Sequence, residues 1–90
     1  MWYAVLKQEL TLQEKFAGST FTVPAGTIWT VKKGVVDGVE GVVAVNIDEA
    51  YENGPMYLHV NEARNIFTKP INNLNDAYEE SFAVCEAVYC

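Results

Sequence analysis

The stretch Thr27-Ile28-Trp29-Thr30-Val31-Lys32-Lys33-Gly34-Val35-Val36-Asp37-Gly38-Val39-Glu40-Gly41-Val42-Val43-Ala44-Val45-Asn46-Ile47 decides the fold. It is β-branched and aromatic, the chemistry that packs on a pleated, half-buried surface. Residues 27–33 read as one strand and residues 42–47 as another. Asp37-Gly38 between them supplies the two-residue turn that suits a tight hairpin. Trp29 alternates with its neighbours, but which parity faces inward is open, so it reads equally as core or as a surface anchor.

Working outward toward the N-terminus, Pro24-Ala25-Gly26 breaks the β-branched run. Proline fixes φ and glycine accepts positive φ, so the break is a turn between a short strand at 20–23 and the longer one at 27–33. Trp2, Ala4 and Leu6 share one parity, while Tyr3 and Lys7 take the other. That period of two predicts an N-terminal strand over 2–8. Residues 9–16 fit a strand or a helical turn equally.

Toward the C-terminus, residues 48–54 are acidic and turn-rich, and Met56-Tyr57-Leu58-His59-Val60 alternates as a short strand. Residues 62–67 predict one helical turn with Asn61 as its cap, and Pro70 follows. Leu74, Tyr78, Phe82, Cys85 and Tyr89 then recur at helical spacing, with Ala77, Val84 and Val88 beside them. This apolar stripe predicts an amphipathic helix that packs through it, preferred over a strand at 82–89. Asn73 or Asn75 is its expected cap, and Asp76, Glu79 and Glu80 suit the positive end of its dipole.

The 90 residues, half apolar and a fifth charged, fit a single folded domain, with no composition bias toward disorder. Net charge is −6, the wrong sign for a protein that wraps nucleic acid through phosphates. No apolar run has the ~18–20 residues of a membrane span and no signal-peptide pattern opens the chain, so a cytoplasmic protein is expected. The charge is uneven. Residues 1–36 carry Lys7, Lys15, Lys32 and Lys33 against Glu9 and Glu14, whereas residues 37–90 carry Arg64 and Lys69 against ten acids. Cys85 and Cys90 are close in sequence and far from any second pair, so reduced thiols are expected and a closed zinc site is not.

Residues 21–71 comprise an aromatic strand, Gly26-Thr27-Ile28-Trp29-Thr30-Val31, a glycine-punctuated hairpin and Met56-Tyr57-Leu58-His59-Val60-Asn61-Glu62, followed by Phe67 and Pro70. This order resembles the small Src-homology-3-like (SH3-like) barrels found in short phage-encoded accessory proteins. The resemblance implies a mainly β, α+β fold: an SH3-like barrel with an N-terminal strand and a C-terminal amphipathic helix added to it. It implies a phage origin and no particular activity, because such barrels share architecture rather than a site.

Catalytic signals are weak. His59 is the only histidine, and a triad needs a nucleophile and an orienting group beside it. Asn46 and Asp48 begin like a calcium loop, but Ala50 and Tyr51 occupy the positions of a ligand and the obligatory glycine, so the motif fails. Lys32-Lys33 is too small a basic patch for base stacking on an aromatic platform. Neither a catalytic residue, a metal nor a cofactor is expected.

The expectation is therefore a non-enzymatic protein-binding module, a phage factor that docks on a host protein and inhibits or modulates it. Its docking surface is placed in the acidic 37–62 region, with Trp29, Tyr51 and Tyr57 as aromatic candidates and Asp48, Glu49 and Glu52 as carboxylates. The partner is then a basic protein, such as one that binds nucleic acid, with no direct nucleic-acid or membrane contact by this chain. Two alternatives stand beside it: a homo-oligomer that binds a small ligand, and a small hydrolase built on His59.

Overall fold

Asp37 and Gly38 fold the central stretch back on itself. Both have positive φ, 52° and 80°, as the two-residue hairpin turn matching the right-handed twist of its strands requires. Val36 pairs with Val39 at the turn, and the ladder runs without interruption to Trp29 opposite Asn46. The first strand thus reaches Val36 and the second begins at Val39, so the hairpin is longer at the turn end than the valine pattern alone implies.

The computed structural model describes residues 1–13, 18, 20–48 and 54–89. Its elements are β1 (Trp2–Val5), β2 (Leu10–Gln13), β3 (Thr20–Val23), β4 (Ile28–Val36), β5 (Val39–Asn46), β6 (Met56–His59), α1 (Val60–Ile66) and α2 (Leu74–Val88). One antiparallel sheet has the order β1-β4-β5-β6, and β2 and β3 form a separate hairpin. The ambiguous 9–16 segment is thus strand over Leu10–Gln13.

Alternation along the strands sorts side chains onto two faces. Ala4, Leu6, Trp29, Val31, Ala44 and Leu58 form the main core with Val23 and Phe67. Val5 and Ile28, of the opposite parity, pack instead with Ala77 of α2. The inward parity of the central stretch is thereby resolved: Trp29 is 2% exposed and meets Phe67 edge-to-face at 5.7 Å between ring centres.

After α1 the chain returns along the free edge of β1. Tyr3 and Ile71 exchange backbone hydrogen bonds at 2.7 Å, Lys7 N donates to Ile66 O at 2.7 Å, and Thr68 N donates to Val5 O at 2.9 Å. The pairing is made of isolated bridges, Tyr3 with Ile71 and Leu6 with Phe67. The molecule is therefore an α+β domain with an open antiparallel sheet and a C-terminal helix. A closed barrel is not formed among the described residues, because α1 stands where β6 would have to continue into the returning segment.

The two helices depart from expectation in instructive ways. Val60 belongs to α1 rather than to β6, and the N-cap is His59 rather than Asn61. Glu62 Oε1 accepts the His59 N–H at 3.4 Å. In α2, Asn73 is the cap, accepting from Asn75 N and Asp76 N at 2.8 and 3.3 Å. The apolar stripe expected to pack, however, is turned outward: Tyr78, Phe82 and Tyr89 are exposed, and Ala77 is the helix's one buried residue. Ala77, with Val84 beside it, is small enough to let the helix backbone approach Val5 and Ile28, and Ser81 Oγ donates to Gly26 O. Cys85 lies on the half-buried side, its Sγ 3.9 Å from Ala25 O. It is disulfide-bonded, which corrects the expectation of reduced thiols.

Candidate functional site

The main core is not sealed. Where Ala4, Val31 and Phe67 reach the edge of the sheet, an open groove of about 1240 Å³ continues outward. Trp2 and Val31, directly paired across β1 and β4, form part of its floor with Val42 of β5. One wall is α1, through Val60 and Ala63, and the other is the returning segment from Phe67 to Pro70. Trp2 keeps 51% of its surface exposed because nothing covers it from the open side.

The rim is basic. Lys7, Lys33, Arg64 and Lys69 line the groove, Lys32 borders it from the other parity of β4, and Glu40 is the one carboxylate among its lining residues. With Lys32 counted, these are five of the six Lys and Arg in a chain of net charge −6; the sixth, Lys15, lies outside the described residues. Each arrives by a different route. Lys7 follows β1 and its Nζ donates to Arg64 O at 3.0 Å, tying the strand to the helix. Lys32 and Lys33 stand on the outer half of β4, Arg64 on α1, and Lys69 in the returning segment.

Lys33 reaches Glu40 at 3.8 Å, both side chains being mostly exposed, an arrangement that adds little stability. Among the described residues Lys32, Arg64 and Lys69 have no ion-pair partner. Converging like charges over an apolar floor raise the local potential and attract anionic groups. The lining holds a single hydroxyl, that of Thr68, and its Oγ1 accepts from Val5 N at 3.0 Å. What the groove can do chemically is hold an apolar group while neutralising negative charge beside it.

Of the residues expected from sequence to form the docking surface, Trp29, Asp48 and Tyr57 are among the described residues. Trp29 is a core residue and is withdrawn from the surface candidates: the parity that pairs it with Ala4 turns it onto Phe67. Asp48 is exposed just beyond β5, its N–H donating to Asn46 Oδ1 at 2.8 Å. Tyr57 is 60% exposed on β6. Glu49, Tyr51 and Glu52 lie outside the described residues.

His59 Nε2 is 3.0 Å from Asp37 Oδ2 across the β4–β5 turn, and its backbone N–H is held by Glu62. The pair sets an orienting carboxylate beside a partly exposed imidazole. No helix there is long and apolar enough to cross a membrane.

In the sequence Lys32-Lys33 is a small basic pair with nothing local to connect it with Lys7, Arg64 and Lys69. One signal was present: the basic excess of residues 1–36 and the isolation of Arg64 and Lys69 among ten acids. Only the pairing of β1 with β4 and the return of residues 66–71 bring those charges together. No family model matches the chain, and neither a curated protein nor a solved structure matches it.

Proposed function

We propose that this chain is a non-enzymatic protein-binding module whose working face is the basic-rimmed groove. The observation that carries the reading is the convergence of Lys7, Lys33, Arg64 and Lys69 on one apolar concavity of an otherwise acidic molecule. Its ligand is an acidic segment of a protein that inserts an aromatic or aliphatic anchor against Trp2, Val31 and Val42. The groove thus favours an acidic partner where composition alone favours a basic one.

The SH3-like reading of the fold belongs to the same proposal. It is supported by the order of elements: a first strand, a long hairpin excursion (β2 and β3), the β4-β5-β6 meander, a short helix, and a segment that returns to the first strand. The resemblance adds the biological setting, a phage-encoded factor acting in the host cytoplasm by occluding a host protein.

The test is a titration with a synthetic acidic peptide bearing a Tyr or Phe anchor, followed by Trp2 fluorescence. Binding is expected to shift Trp2 emission, to vanish from the signal in Trp2→Phe, and to slow tenfold or more in association at high salt. Lys33→Glu combined with Lys69→Glu should abolish it. Peptide affinity unchanged by that charge reversal would remove the groove from consideration.

A further inference from the structure

The face of α2 that the sheet leaves uncovered has the chemistry the groove lacks. Tyr78 and Phe82, one turn apart, are 49% and 72% exposed, and Leu74 continues the same row. Glu79 precedes Phe82 by three positions and Glu86 follows it by four, so both carboxylates flank the aromatic on the helix surface. The helix carries Asp76, Glu79, Glu80 and Glu86 and no cation.

This ridge and the groove lie on opposite faces of the sheet. Ala77 packs α2 against Val5 and Ile28, whereas Ala4 and Val31, of the other parity, line the groove. One molecule therefore shows an apolar concavity rimmed by cations on one side and an apolar ridge flanked by carboxylates on the other, and its own ridge cannot reach its own groove. We propose that the groove accepts α2 of a second copy of this chain, giving head-to-tail self-association. The inference rests on the groove reading above and names its occupant.

Leu74, Tyr78 and Phe82 span roughly 12 Å along the helix axis, a short apolar row entering between α1 and the returning segment, with Glu79 and Glu86 meeting the lysine rim. Because the two surfaces differ, the contact is heterologous. Each addition leaves one groove and one ridge free, so assembly continues into open chains unless the rotation closes a ring.

Sedimentation or light scattering across roughly micromolar to millimolar concentration reads this directly. The mass is expected to rise beyond one chain at low salt and to fall back at about 0.5 M salt, as charge-steered contacts do. Two exposed-surface variants divide the interface: Lys33→Glu with Lys69→Glu disables the groove, and Tyr78→Ser with Phe82→Ser disables the ridge. Each alone should be monomeric, and their mixture should form a heterodimer and nothing larger, since only one functional groove and one functional ridge remain. Loss of an aromatic anchor should weaken that contact by tenfold or more.

A wild-type chain that stays monomeric throughout overturns the inference, as does a ridge variant that still self-associates. If either double variant is not folded by circular dichroism, Glu79→Lys with Glu86→Lys and single Lys69→Glu replace them with the same expectations. The acidic-peptide titration separates the two levels: a monomeric chain that binds the peptide loses self-association but keeps the groove, and one that does neither loses both.

Discussion

Trp29 is the largest fully buried side chain among the described residues. It stacks edge-on against Phe67, and its Nε1 donates to Thr27 Oγ1 at 3.0 Å. Trp29→Ala empties the largest buried side-chain volume and should cost about 3–5 kcal/mol in urea unfolding, a large share of the ~5–15 kcal/mol available to a domain. Trp29→Phe keeps an aromatic core and loses the indole hydrogen bond, so its cost should be well below that of alanine. Trp2, half exposed in the groove, leaves stability nearly unchanged on conversion to Phe. The alternation of residues 27–31 was readable from sequence, yet it could not say which face Trp29 takes, because a strand's period is symmetric until a neighbour covers one side.

Secondary-structure elements divide into those whose ends are set locally and those set by what they touch. The Asp37-Gly38 turn is local: Gly38→Ala places a Cβ at φ +80° and should cost about 1–2 kcal/mol, measured as a shift in the urea midpoint. Asn73 is local too; Asn73→Ala removes the acceptor for two N–H groups and should cost about 0.5–2 kcal/mol, with loss of helix at α2. Gly41 is different. A Cβ there would lie 2.6 Å from the Leu58 carbonyl oxygen and 2.6 Å from Val36 Cγ2, so Gly41→Ala must push β5 from β6 and should cost about 1–3 kcal/mol. The turn, and the cap as either Asn73 or Asn75, were legible in the sequence because their chemistry spans four residues. The need for glycine at 41 was not, because it depends on the backbone of β6.

At the scale of the whole molecule, charge is segregated against its average. The chain is acidic, yet one concavity collects four cations while α2 collects carboxylates alone. Reversing Lys33 and Lys69 acts at an exposed rim and removes only the weak Lys33–Glu40 pair, so folding stability should stay within about 0.5 kcal/mol of wild type while peptide binding is lost. A parallel urea unfolding curve and peptide titration on that variant check both halves. A stability loss matching the binding loss would mean that these lysines hold the fold rather than a ligand.

The amino-acid sequence by itself determined the strands other than β2, the hairpin turn at Asp37-Gly38, a cap at Asn73 or Asn75 and the helical character of residues 74–88, because each is written in the few residues that form it. Only the tertiary structure decided that Trp29 is core, that α2 packs through Ala77 and turns Tyr78 and Phe82 outward, and that Lys7 lies beside Arg64, 57 residues away. The physical reason is the range of the forces involved. Propensity, turn geometry and capping act along a few bonds, whereas the facing of a strand, the rotation of a helix and the gathering of charge around a groove are settled by what packs against them from elsewhere in the chain.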